Sequence, residues 1–180
     1  MAGAKDRVLD AYETLLIEHG AGAVTLDAVA AAAQVSKGGL LYHFASKDAL
    51  ATGLLDRLRE RSAADAQDLR AAPDGAVDYY VRTSAPGGAS SGGLTRTYLA
   101  VLRLADSTDA GIAARDALTV VNADGYAALL EEVRDPVVAL LAQLVGDGLY
   151  LRTLTGTPLP PGIDVADLLE RMRTVPPARR

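Results

Sequence analysis

Residues 25–50 read TLDAVAAAAQVSKGGLLYHFASKDAL, and this stretch decides the fold. Thr25 precedes the helix-forming run Leu26-Asp27-Ala28-Val29-Ala30, so its hydroxyl reads as an N-cap. The pattern predicts a helix to about Ala33, a turn at Gln34 and Val35, a second cap at Ser36 and a short helix from Lys37 to His43. Ser46 caps a long helix that opens at Lys47 and runs to about Leu69. Two short helices across a tight turn, with small residues from Ala30 to Ala33 where they cross, describe a helix-turn-helix. The second helix of such a unit offers an open, polar end to the major groove. Ser36, Lys37, Gly38 and Gly39 supply that end, and their small size lets the backbone approach phosphates. Tyr42 and His43 follow one turn later, Lys47 reaches the flank of the groove, and Thr25 is a phosphate ligand as well as a cap. Leu40 and Phe44, one helical turn apart, belong to the core.

Outward from this stretch the chain stays helical. Val8, Ala11, Tyr12, Leu15 and Leu16 recur at three- and four-residue spacing, giving a first helix from about Lys5 to His19, which Gly20 stops. After the long fourth helix, Ala71-Ala72-Pro73-Asp74-Gly75 breaks the pattern. Further helices are expected over about 76–85, 94–105, 115–133 (after a weaker stretch), 136–154 and 164–175. Asp135-Pro136 is a start signal for the penultimate one. Pro86 to Gly93 is the most loop-like segment, and the Pro- and Arg-rich end reads as frayed. No strand pattern and no repeat is apparent, so the fold class is all-α, with eight to ten helices.

Composition narrows the function. The chain has no Cys and two well-separated histidines, His19 and His43, which excludes disulfides and thiol-bound zinc and leaves no metal site and no cofactor to expect. No run approaches the ~20 apolar residues that span a bilayer, and the N-terminus lacks a leader's apolar core, so a cytoplasmic protein is expected. The formal net charge of −5 argues against non-specific coating of nucleic acid, but not against a local patch. Lys37 and Lys47 fall in a stretch with no acid between Asp27 and Asp48, while Asp6, Asp10 and Glu13 lie on the first helix. His43 has no nucleophile or carboxylate partner near it in sequence, and no catalytic constellation is apparent.

Thr25, Ala30, Val35, Ser36, Lys37, Gly38, Leu40, Tyr42, His43, Phe44, Ser46, Lys47, Ala49 and Leu50 together resemble the TetR family of regulators. The likeness covers roughly residues 5 to 55. It implies a homodimer on a palindromic, double-stranded operator, usually repressing, and released when a small molecule enters the C-terminal part. The chain then divides into a DNA-binding domain at 1–46 and a ligand-binding and dimerisation domain at 47–180. Two positions depart from the family's pattern. Gln34 stands where the turn commonly has Gly, which requires Gln to adopt a left-handed conformation. Leu41 stands where the family often has a DNA-contacting Tyr, which leaves more to Tyr42 and His43.

The remainder offers candidates rather than a motif. Tyr79, Tyr80, Arg82, Arg96, Tyr98, Arg103, Asn122 and Tyr126 are polar or aromatic residues embedded in apolar helices. A ligand cavity needs a few such groups, and Tyr79, Arg82, Tyr98, Arg103, Asn122 and Tyr126 are the expected ligand contacts. Leu140, Leu144, Gly148, Leu151, Leu168 and Met172 on the last two helices are the expected dimer interface, since the resemblance puts those helices in an intersubunit bundle. Gly146 and Gly148 are poor helix residues, and close approach of another helix is the expected compensation. Gly53 is the weak point of the long fourth helix, which reads as the lever between ligand and DNA. Two rivals remain: a DNA-binding dimer of the same fold without a sensor, and an all-α enzyme.

Overall fold

The structure, a computed structural model, describes residues 3–85, 88, 93–107 and 109–173. The expected loop at 86–93 lies mostly outside the described residues, and so does the chain end from 174. Among the described residues there are nine α-helices and a short 3-10 turn: α1 Ala4–His19, the turn Ala21–Ala23, α2 Leu26–Ala32, α3 Lys37–His43, α4 Lys47–Ala71, α5 Ala76–Ser84, α6 Leu94–Ala105, α7 Gly111–Val133, α8 Pro136–Thr155 and α9 Val165–Arg173. The all-α reading holds, with most ends within two residues of those expected. The exception is α7, which runs unbroken from Gly111; the Ser107 hydroxyl accepts from the Ala110 amide (3.2 Å) just ahead of it.

The expected caps are made. The Thr25 hydroxyl accepts from the Ala28 amide at 3.2 Å, and the Ser36 hydroxyl accepts from Gly39 at 3.0 Å. Ser46 accepts from Ala49 at 3.1 Å, and Asp135 accepts from the amides of Val137 and Val138. Each bond satisfies a donor at a helix start that the helix itself cannot pair, worth ~1 kcal/mol per cap. Gln34 adopts φ 54°, as the turn demands of it. A non-glycine residue pays roughly 1–2 kcal/mol for that conformation, and the Val35 amide closes the turn by donating to Ala30 O at 3.0 Å.

The chain packs as two compact units. The first comprises 1–62 and 93–121, and the second comprises 63–92 and 122–180. In the first, Val8, Tyr12 and Leu16 of α1, Val29 of α2, Leu40 of α3, Phe44, Leu50, Leu54 and Leu58 of α4, and Val101 and Leu104 of α6 form one buried core. In the second, Leu69, Ala76, Ala128, Leu129, Ala139 and Ala142 make one cluster, and Val81, Ala85, Leu149 and Leu169 another. The packing therefore groups the start of α4, α6 and the start of α7 with the N-terminal helices, a different partition from a functional division at Lys47.

Two glycines mark close packing. A Cβ on Gly146 would collide with the Tyr80 ring, so α5 and α8 approach there as expected. A Cβ on Gly53 would sit 2.5 Å from Phe44 Cε1. The reading of Gly53 as a bare weak point in α4 is corrected: its missing side chain makes room for a buried ring. Gly148 meets nothing within 4 Å in the single chain.

Candidate nucleic-acid interface

Sequence spacing dictates which face of α3 is free. Leu40 and Phe44 point into the core of the first unit, and Tyr12 and Leu16 of α1 belong to the same core. Lys37, Gly38, Leu41, Tyr42 and His43 are therefore left exposed, with Tyr42 showing 87 % of its surface and the two rings of Tyr42 and His43 meeting edge-on at 5.2 Å. Large aromatic side chains are seldom left this open in a chain that has no partner for them. Ser36 and Thr25, both exposed, stand at the starts of α3 and α2. The expected DNA residues are thus exposed on the first unit, except Gly39, which is half-buried against its cap.

The two lysines are not idle in the isolated chain. Lys37 Nζ lies 2.9 Å from Asp27 Oδ1, an exposed pair across the α2–α3 turn. Lys47 Nζ donates to Ala21 O at 3.0 Å, pinning the start of α4 to the 3-10 turn. An exposed pair of this kind stabilises by only ~0–1 kcal/mol, so Lys37 can exchange its partner at little cost. Lys47 has a structural role that sequence alone did not reveal.

The first unit also holds a charge cluster, buried at Glu13 and Arg57, that the sequence reading missed. Asp6, Asp10 and Glu13 follow one another at helical spacing on α1, and all three reach Arg57 of α4, at 3.2, 2.6 and 3.4 Å. Glu13 is fully buried; it accepts from the Thr97 hydroxyl at 2.7 Å and pairs with Arg61 at 3.2 Å and Arg96 at 3.4 Å. Burial works against the Arg57 charge, but the hydrogen bond to Asp10 and the charges of Glu13 and Asp10 outweigh it and hold the guanidinium more firmly protonated. The available signal was the i, i+4, i+7 spacing of the three acids. Nearby, burial, reinforced by the charge of Asp48, pushes the Tyr12 phenol up to about 12.

The six expected ligand residues are not gathered. Tyr98 and Arg103 belong to the first unit, whereas Tyr79, Arg82, Asn122 and Tyr126 belong to the second. Tyr79 donates to Asp65 at 3.0 Å, Arg82 pairs with Asp78, Tyr126 donates to Pro136 O at 3.3 Å, and Asn122 O accepts from Gln143 at 2.8 Å. The second unit holds a cavity of about 320 Å³, and none of the six lines it. Val77, Val133, Val138, Leu169 and Met172 form its apolar walls, while Asp78, almost fully buried and paired with Arg173 at 2.9 Å, is its best-shielded charge. Sequence gave no sign of this cavity because its polar residues, Asp74, Asp78, Glu132, Asp135 and Arg173, lie in stretches far apart along the chain.

The expected dimer residues divide. Val137, Leu140, Leu141, Leu144 and Leu151 leave a large apolar stripe of α8 exposed, and Gly148 is open beside them. Leu168 and Met172 instead pack half-buried against the core of the second unit.

An exposed second helix on a capped helix-turn-helix is the arrangement that many DNA-binding regulators use. The family of bacterial regulatory proteins named for TetR matches residues 8–54. Solved structures match along nearly the whole chain. NalD, the secondary repressor of the MexAB-OprM multidrug efflux pump in Pseudomonas aeruginosa, is 20% identical with a TM-score of 0.65, over 94% of this chain and 93% of that one. A transcriptional regulator of the TerR/AcrR family from Aquifex aeolicus VF5 is 16% identical with a TM-score of 0.64, over 95% and 96%. The multidrug binding protein EbrR, complexed with ethidium, is 26% identical with a TM-score of 0.57, over 94% and 97%. The comparison with curated proteins finds no match. Residues 8–54 thus carry a likeness to the TetR family of bacterial regulatory proteins, and the chain shares its all-α fold with these solved structures.

Proposed function

We propose that the protein is a ligand-responsive repressor that binds a palindromic operator as a homodimer and is released by a small molecule. The division of labour puts DNA binding in 1–46 and ligand binding with dimerisation in 47–180. The single observation that carries the DNA part is the free face of α3, where Lys37, Gly38 and the 87 %-exposed Tyr42 are presented together. Thr25, Ser36, Gly39, His43 and Lys47 complete the contact set, by phosphate rather than base contacts for Thr25 and Lys47.

The exposed α8 stripe supports the homodimer. Five large apolar side chains on one helix exceed what a monomer leaves scattered on its surface, and a second copy of the same stripe gives a self-complementary cover. The cavity of the second unit supports a sensor: 320 Å³ is at the lower end of the ~300–1,000 Å³ range of small-molecule sites, and its lining combines apolar walls with a shielded carboxylate. That chemistry suits a lipophilic cation. One observation favours the sensor-free alternative: Asp78 is already paired by Arg82 and Arg173 of the same chain.

Selection of the operator from random duplex DNA tests the first part, and recovery of a two-fold symmetric site is the expected result. Titration of that operator with and without ethidium or malachite green tests the second. Release of DNA supports the sensor; unchanged binding across cationic and neutral effector panels leaves the sensor-free dimer.

A further inference from the structure

We propose that Leu41 reads a thymine methyl group in each operator half-site. The inference rests on the DNA-binding reading of α3 and names what one residue of its free face recognises. At about 100° per residue, Lys37, Leu41, Gly38 and Tyr42 occupy an arc of about 140°, with Leu41 between Lys37 and Gly38. The flank beyond Lys37 belongs to Leu40, which is buried, and Phe44, also buried, caps the helix end. Leu41 is 38 % exposed and is the sole aliphatic side chain on that arc. Scattered apolar residues on a surface are ordinary, but this one stands on the free face of α3 between Lys37 and Gly38, where a polar side chain would serve hydrogen bonding.

A leucine there offers neither donor nor acceptor. Against a phosphate it would strip water and return nothing. Against the edges of G, C or A it would leave their polar atoms unpaired. The one apolar group in the major groove is the C5 methyl of thymine. Gly38, lacking a side chain beside it, leaves the base edge open to Leu41, and Lys37 on the other side remains free for a phosphate or a guanine.

The test uses the selected operator with each thymine replaced in turn by deoxyuridine, which removes the methyl and nothing else. One position per half-site should lose about fourfold in affinity, the equivalent of one buried methyl at about 0.8 kcal/mol. In Leu41→Ala the thymine operator should weaken while the deoxyuridine one does not, so the difference between them vanishes. Leu41→Met, which keeps an apolar side chain, should retain it. Thermal melts check that each variant folds. An operator bound tightly but indifferent to deoxyuridine at every position, or equally sensitive in Leu41→Ala, overturns this proposal and leaves DNA binding intact. Failure to select any operator overturns both.

Discussion

The Phe44 ring occupies the space that a side chain on Gly53 would need, with Cε1 only 2.5 Å from where that Cβ would lie. Phe44 is buried and closes the end of α3, while Gly53 lies one and a half turns into α4. Gly53→Ala gains about 1 kcal/mol of helix propensity but overpacks a core position, at a cost of roughly 1–3 kcal/mol. The expected net effect is a melting temperature lower by several degrees and weaker DNA binding without effector. A variant that melts higher than wild type would show that the ring retreats freely.

On the proposed operator contact, Asp27 competes with DNA for Lys37. Their exposed pair contributes little to stability, so Asp27→Asn should leave the melting temperature within about 1 °C of wild type while tightening operator binding. Lys37→Ala should weaken binding and lower the slope of log affinity against log salt by about 1 per site if the contact is to phosphate. Titrations at three salt concentrations measure both. A weaker Asp27→Asn complex would mean that the pair orients the lysine.

The α8 stripe predicts how assembly fails. Leu144→Glu puts a charge at a site 56 % exposed in the single chain, and Gly148→Leu adds bulk where nothing stands within 4 Å. Neither change touches the chain's own core, so secondary structure by circular dichroism should be retained. Sedimentation should show dimer for wild type and monomer for both variants at micromolar concentration. A monomeric wild type sinks the proposed interface.

Glu13, fully buried, accepts hydrogen bonds from Arg57, Arg61 and Thr97 and forms a further ion pair with Arg96. Glu13→Gln leaves buried Arg57 and half-buried Arg61 with less countercharge, and the cost falls below the roughly 3–5 kcal/mol of an uncompensated buried charge because Asp6 and Asp10 still pair Arg57. Urea unfolding should register that loss, and added salt should leave it almost unchanged because a buried pair is weakly screened.

Burial pushes the Asp65 carboxyl above its usual range, with Asp68 adding to the rise and the Tyr79 hydrogen bond opposing it. A carboxyl raised in the folded state favours folding when protonated, so its contribution is complete below the unfolded value of 3.8 and is lost as pH rises through the folded one. Asp65→Asn keeps an acceptor for Tyr79 and removes the charge. Its melting temperature should exceed wild type at pH 7 and converge with it towards pH 3.5.

The local motifs were legible because they depend on neighbours in sequence. Thr25, Ser36, Ser46 and Asp135 each cap within three residues, and Gln34 takes its left-handed conformation within the short link, residues 33–36, that reverses the chain between α2 and α3. What depends on distant residues was not legible. Nothing in the sequence joins Glu13 to Thr97, or Asp78 to Arg173, and the scattered tyrosines and arginines gave no hint that they would pair locally instead of lining one cavity. The α8 stripe was visible as periodicity, but only packing separated exposed Leu140, Leu144 and Leu151 from half-buried Leu168 and Met172.

Phe44 is the chain's single phenylalanine, and no tryptophan is present. Biosynthetic incorporation of a fluorinated phenylalanine would therefore yield one ¹⁹F resonance, from the ring wedged between the end of α3 and Gly53. Its chemical shift and linewidth would report, with no assignment problem, how the recognition helix is seated as operator and effector are added in turn.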